Sequence, residues 1–401
     1  MNRVQRYFYR LFKRVLYPYV RIFQRVKYNY NGLEKPKEQT LFISNHHSNW
    51  DPVWLCLMFV RKNIHFLASE EIFKNKFYSL VFAGILEEVK RAENSASVSD
   101  VMDVIRMKQK GYDIGIYPEG DIDFFGELMN HNLAIAKLIK LLKLPVAILR
   151  VDGAFTRMPR WNNNKARHSK IVYNYVRHLS VEEIEKLSVE ELDYIIWSGI
   201  KTNEEQYQQI NNIKQRKGHL AEWLETGIFY CPKCQSYETL NSDGDVFACS
   251  KCHHQVKLTP EGKFVSLDNS EVVYETPYAW NRAQLANLKE RVKKLLPGEI
   301  LLERKNIPMF WSKYNTKFSD EKPEMVSIKL RSDGLIVELL SGEKRIIPLT
   351  FIYKVWVYHK EVLEIFTSDY RVRFNQDDLH WCAYLYVKAI ELLKENVSQP
   401  A

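Results

Sequence analysis

Over the first two hundred or so positions, apolar residues fall into compact runs separated by stretches with helical spacing. The runs at 40–44, 85–89, 113–117 and 145–151 have the length of buried strands. Between the second and third, 98–108 places Val98, Val101 and Ile105 on one helical face, with Gly111 as its stop. A second helix, 132–142, precedes the fourth run. Strands alternating with helices predict an α/β fold over 31–226, a mostly parallel sheet covered by helices. Asn45-His46, Lys90-Arg91 and Glu119-Gly120 each follow the end of a predicted strand. In an open sheet of this kind the carboxyl ends of the strands share one edge, so three motifs distant in sequence are expected at one cleft.

The pattern then changes twice. Residues 227–258 carry paired cysteines, and 259–298 read as a linker with a helix at 275–297 that stops at Pro297-Gly298. From 299 to 401, β-branched and aromatic runs at 325–330, 335–340, 352–358, 362–367 and 370–374 are punctuated by Gly334, Ser341-Gly342 and Ser368-Asp369. A helix at 377–395 follows. The outline is a β-rich α+β domain and resembles a pleckstrin-homology (PH)-type barrel.

Composition adds a local feature. The chain has 46% apolar and 27% charged residues, which is the make-up of a folded protein, and a net charge of +9. Nearly all of the excess lies in residues 1–30, where Arg3, Arg6, Arg10, Lys13, Arg14, Arg21, Arg25 and Lys27 meet no acid. Phe8, Leu11, Phe12, Val15 and Leu16 recur there at helical spacing among several tyrosines. A basic, aromatic, amphipathic helix is suited to an anionic membrane surface: rings enter the headgroup boundary and cationic stems reach phosphates. The alternative is a basic helix packed on its own domain. The most apolar stretch, 133–151, is broken by Lys137, Lys140, Lys143 and Pro145. The expected location is therefore peripheral or monotopic, on a membrane that the chain does not cross, and the reduced thiolates of the cysteine pairs put it on the cytoplasmic face.

His46 stands five residues before Asp51, and Pro52 follows. A neutral imidazole is suited to taking a proton near neutral pH, and a carboxylate on its other nitrogen fixes the tautomer. Asp51 as N-cap and Pro52 at the first helical position would open a helix that lets the carboxylate curl back. Taken alone, the same residues read equally as a helix cap and a loop histidine. His47 competes with His46 for the role.

Four blocks in order change that balance. Asn45-His46 through Asp51-Pro52, Gly84 through Arg91, Tyr117-Pro118-Glu119-Gly120 and Leu144 through Ile148 together resemble the signature of the glycerolipid acyltransferases, the lysophosphatidate acyltransferase superfamily. The resemblance covers roughly 35–165 and implies an O-acyltransferase of phospholipid biosynthesis or remodelling. It implies His46 as general base, Asp51 as its orienter, Arg91 as the acceptor's phosphate ligand, and Glu119 and Gly120 as the lining of the acceptor site. The acceptor implied is a lysophospholipid, 1-acylglycerol-3-phosphate first, and the donor acyl-CoA or acyl-ACP. One departure stands out: the third block continues into Asp121-Ile122-Asp123, where the family carries small polar and basic residues. Two carboxylates there would repel an anionic headgroup, and Arg157 and Arg160 are the candidates to compensate.

Cys231-x-x-Cys234 and Cys249-x-x-Cys252 have the spacing of two knuckles that close a tetrahedral zinc site, a zinc ribbon. Such a site is closed, so the Zn2+ is structural. His253 and His254 are spare ligands at most, and Cys56 and Cys382 sit in apolar runs as core residues. Lysines and acids balance across the module, which argues against nucleic acid and for protein docking or bracing. The reading from another class is a non-catalytic membrane adaptor whose acyltransferase fold is degenerate and whose ribbon docks partners.

Overall fold

The computed structural model describes residues 3–69, 89–91, 98–127, 133–162, 167, 169–268, 271–313, 322–374 and 381–398. The predicted strand at 85–89 and the start of the helix at 377–395 fall largely outside these residues. Two compact units divide the chain: residues 1–160 with 165–214, and residues 161–164 with 215–401.

In the first unit the elements run α1 (Arg3–Ile22), β1 (Val26–Asn29), β2 (Leu41–Ile43), α2 (Asp51–Met58), β3 (Ile64–Ser69), β4 (Val89–Arg91), α3 (Val98–Gln109), β5 (Asp113–Ile116), α4 (Ala134–Leu142), β6 (Val146–Asp152), α5 (Ala154–Arg157), β7 (Ile171–Leu179), α6 (Val181–Lys186), α7 (Val189–Ile200) and α8 (Glu204–Ile210). The sheet order is β1-β7-β6-β2-β5-β3-β4. The five strands from β6 to β4 are mutually parallel. The flank reverses: β7 is antiparallel to β6, and β1 is parallel to β7.

Successive side chains of a strand face opposite sides, and both sides are covered here. Phe42, Ala147 and Leu149 pack with α2 and with Val20 of α1. Leu41, Ile43, Val146 and Ile148 pack with Val104 and Met107 of α3, Ile139 and Leu142 of α4, and Leu192 and Ile196 of α7. This double burial is why β2, β5 and β6 appear in the sequence as unbroken apolar runs. Helices α6 and α7 each open with a reciprocal capping box, Ser180 with Glu183 and Ser188 with Glu191.

In the second unit, β8 (Leu240–Asp243), β9 (Val246–Cys249), β10 (Gln255–Leu258) and β11 (Phe264–Ser266) form an antiparallel sheet in the order β11-β10-β9-β8. The segment 259–298, expected as a linker, is instead built into this unit. It supplies β11, and its helix α9 (Pro277–Lys293) seats Trp280 edge-on to Phe247 and Phe264, with Nε1 donating to Tyr230 O at 2.8 Å. The Gln284 side chain of α9 pairs with the backbone on both sides of Ile228, accepting from Phe229 N and donating to Gly227 O.

Seven antiparallel strands follow: β12 (Ile300–Lys313), β13 (Glu324–Arg331), β14 (Gly334–Leu339), β15 (Lys344–Pro348), β16 (Lys354–Tyr358), β17 (Val362–Phe366) and β18 (Tyr370–Phe374). Their order is β15-β14-β13-β12-β18-β17-β16, so a four-strand and a three-strand meander join through their first and last strands. The closing helix α10 (Ala383–Ser398) packs on β16 and β17. The C-terminal region is thus β-rich α+β, as its runs predict.

Candidate active site

The turn after β2 carries the first motif, and side-chain contacts from distant elements hold it. Asn45 is completely buried; its amide donates to Val151 O at 2.8 Å and accepts from Val151 N at 2.7 Å. An amide side chain matches both halves of a peptide group, so Asn45 ties the end of β2 to the end of β6.

His46 follows, 18% exposed at its side chain, with Nδ1 2.9 Å from Asp51 Oδ2. The same oxygen accepts from His47 N at 2.7 Å and Ser48 N at 2.9 Å, and the Asp51 side chain is fully buried. The helix-cap expectation is corrected here. Trp50 is the N-cap, Asp51 is the first helical residue and Pro52 the second. The carboxylate reaches back to the loop that bears the histidines, not forward into α2.

His47 is excluded as a rival by its surroundings. It is 1% exposed, edge-on to Phe155, and its ring nitrogens have no hydrogen-bond partner among the described residues. Burial, with His46 beside it, pushes its pKa down to about 3, so its ring is neutral and shut away.

The third motif meets the first through Glu119. Its Oε1 accepts from His46 N at 2.7 Å, so this carboxylate holds the histidine's backbone. Tyr117-Pro118-Glu119-Gly120 is a turn closed by Gly120 N to Tyr117 O at 3.1 Å. Gly120 sits at φ +71, a left-handed conformation that favours glycine. Its place is in the turn that presents Glu119.

Asp121 and Asp123 do not stand free as the sequence implies. Asp121 Oδ2 is 3.0 Å from Arg160 Nη1, and that guanidinium also bonds Ile122 O and lies over the Phe124 ring. Asp123 Oδ2 accepts from Phe125 N at 2.6 Å and Glu127 N at 2.9 Å. One charge is neutralised and the other caps its own loop. Arg160 compensates as anticipated, whereas Arg157 bonds the backbone of Ser169 and Phe23 instead.

Arg91 is the last residue of β4, paired with Ser69 of β3. The β3–β5 ladder runs from Ile64 with Asp113 to Phe66 with Gly115, three residues before Ser69. The Arg91 side chain lies outside what the structure describes.

In the second unit the four cysteine sulfurs lie within 4.8 Å of one another. Cys231–Cys252 and Cys234–Cys249 are each separated by 3.7 Å. A tetrahedron with Zn–S bonds near 2.3 Å has edges of about 3.8 Å, so the donor set fits that ion. Both knuckles have one design. Gln235 N bonds Cys231 O and Cys231 N bonds Ser236 O; His253 N bonds Cys249 O and Cys249 N bonds His254 O. Gln235 and His253 both have φ 58. His254 is bound to Asp268 instead, at 3.1 Å. Cys56 is buried, and buried Cys382 donates to Thr226 O.

A family model described as acyltransferase matches residues 25–150, which include His46, Asp51, Arg91, Glu119 and Gly120. This part of the chain is an acyltransferase domain. No curated protein matches the chain. Among solved structures, the 1-acyl-sn-glycerophosphate acyltransferase PlsC from Thermotoga maritima aligns with a TM-score of 0.38 and 17% identity, over 51% of this chain and 78% of that one. The N-terminal PH domain of human ARAP2 aligns with a TM-score of 0.19 and 15% identity, over 25% of this chain and 85% of that one. Within the acyltransferase domain, Asn45 and Tyr117 are the site residues that motif reading left without a role.

Proposed function

We propose that the chain transfers a fatty acyl group from an acyl thioester to the free hydroxyl of a lysophospholipid, with 1-acylglycerol-3-phosphate as the acceptor. The observation that carries this reading is the 2.9 Å contact of His46 Nδ1 with fully buried Asp51. With Nδ1 committed to the carboxylate, Nε2 is the nitrogen left to receive a proton. His46 Nε2 takes the acceptor's hydroxyl proton as that oxygen attacks the thioester carbonyl, and Asp51 stabilises the resulting imidazolium. The tetrahedral intermediate collapses with loss of the thiolate, which recovers the proton from His46. One C–O bond forms and one C–S bond breaks.

Arg91, the last residue of β4, is the proposed cation for the acceptor's phosphate, and the Asp121–Arg160 pair keeps one acid from repelling it. Cys231, Cys234, Cys249 and Cys252 would hold a structural Zn2+, which would tie the two knuckles together.

The proposed location is a membrane surface, on its cytoplasmic face. Leu11, Val15, Pro18 and Ile22 recur at helical spacing along α1, all exposed, with Val15 at 66% and Ile22 at 67%. Arg14 and Arg21 flank this stripe. Lys13, counted with the surface cations by sequence, is instead buried and donates to Lys62 O. No described helix is long and apolar enough to cross a membrane.

Acyl transfer by the purified chain to 1-acylglycerol-3-phosphate tests the reading. His46→Ala and Asp51→Asn are each expected to lower kcat on the order of 10³-fold or more. Undiminished turnover in His46→Ala would end the assignment, and an inert wild-type chain across a panel of lysolipids would favour the adaptor alternative.

A further inference from the structure

Three rings form a column that ends on His46. Tyr117, just past β5, stacks on the His46 imidazole with centroids 4.4 Å apart and planes 22° apart. On its other side Phe66 of β3 lies at 5.7 Å and 10°. Strands β2, β5 and β3 are consecutive in the sheet, so the column crosses three adjacent strands at the edge that bears the His46–Asp51 pair. One missing side chain makes room for it. Phe66 pairs across the ladder with Gly115, and a Cβ there would come within 2.2 Å of the Phe66 ring. Because Gly115 is bare, that ring lies over the position and meets Tyr117 two residues on. Phe66 is 3% exposed, and the Tyr117 hydroxyl is buried.

The contact between His46 and Asp51 fixes one atom of the imidazole and leaves its plane free to swing. A ring packed against one face removes that freedom, and a phenol face also attracts the imidazolium formed as the base takes its proton. We infer that Tyr117, backed by Phe66 and admitted by the bare Gly115 position, is a positioning residue that sets the plane of His46 and stabilises its charged form. The inference rests on the proposed role of His46 as the base.

The test compares full-length wild type, His46→Ala, Tyr117→Leu, Tyr117→Phe and Phe66→Leu in acyl transfer from acyl-CoA to 1-acylglycerol-3-phosphate across pH. An NMR titration of the His46 ring runs in parallel and needs no turnover, so a different acceptor preference does not blunt it. Tyr117→Leu should lower kcat about 10- to 100-fold with little change in KM. It should also move the acid limb of the pH profile, and the His46 titration, down by roughly half a pH unit. Tyr117→Phe keeps the ring and should recover most of both effects, and Phe66→Leu should shift the titration in the same direction by less. If Tyr117→Leu does not fold, the Phe66→Leu shift decides the matter.

A titration unmoved in the folded leucine variants would overturn the positioning role while leaving the base assignment intact. So would a Tyr117→Phe variant as impaired as Tyr117→Leu, because the ring would then not be the operative group. Retained turnover in His46→Ala would overturn the base assignment and this inference with it.

Discussion

His47 shows how far two adjacent identical residues diverge when their surroundings differ. His46 keeps 18% of its side chain in contact with solvent and bonds a carboxylate; the His47 ring is sealed against Phe155, its two nitrogens without a hydrogen-bond partner among the described residues. The folded state holds His47 neutral down to about pH 3, while the unfolded chain protonates it near 6.5. A depressed folded pKa stabilises the fold above the unfolded value and is lost as pH falls. The thermal midpoint should therefore drop as pH is lowered from about 6.5 toward 3, by up to about 1.4 kcal/mol of stability per pH unit. His47→Phe should flatten that slope in a pH series of melting curves; an unchanged slope would mean that the ring is reached by solvent. The contacts around these histidines also mark what a sequence can disclose. His46 and Asp51 are five residues apart, and a local turn suffices to join them. Glu119 reaches His46 across 73 residues and Asn45 reaches Val151 across 106, pairings that depend on which strands lie side by side.

Among the elements, legibility followed apolar continuity: β3 is buried from Ile64 to Phe66, but His65 interrupts its run. Strands β2, β5 and β6 are covered on both faces and announce themselves as apolar runs. Strand β7 carries Asn174, Arg177 and His178 and did not, because it pairs with β1 at the reversed flank of the sheet. Strand β12 escaped for another reason: its register shifts between Arg304 and Ile307, with Asn306 at φ 54, and the bulge breaks the alternation that defines a strand. The helices that open after residues 180 and 188 are marked by Ser180-x-x-Glu183 and Ser188-x-x-Glu191, capping-box spacings that are independent of apolar periodicity. The ribbon was the most legible element, because ligand spacing is a local property. Metal analysis should find one zinc per chain, absent from Cys231→Ser with Cys234→Ser. Chelation should open residues 227–268 to protease, since the two knuckles then lose the ion that ties them together. A metal-free chain with an unaltered cleavage pattern would show that the knuckles stand without the ion.

At the scale of the molecule, α1 serves two faces at once. Val20 and Lys13 are buried on one side, while Leu11, Val15 and Ile22 are exposed on the other. Truncating the segment would therefore damage the core and confuse any binding result. Substituting Leu11, Val15, Ile22 and Phe23 by serine leaves the seat intact. It should release the protein from anionic liposomes in a sedimentation assay, at on the order of 1 kcal/mol or more per buried apolar side chain lost. Undiminished sedimentation, with wild type bound, would place the membrane contact elsewhere.

The pairing of β1 with β7 also sets a schedule. Asn29 bonds Asn174 across 145 residues, so the strand that seats the first thirty residues is made long after them. At synthesis rates of roughly 5–20 residues per second, α1 leaves the ribosome about seven to thirty seconds before β7 exists. For that interval the amphipathic helix has no folded domain to lie against, and whichever surface it meets first, it meets as an independent segment.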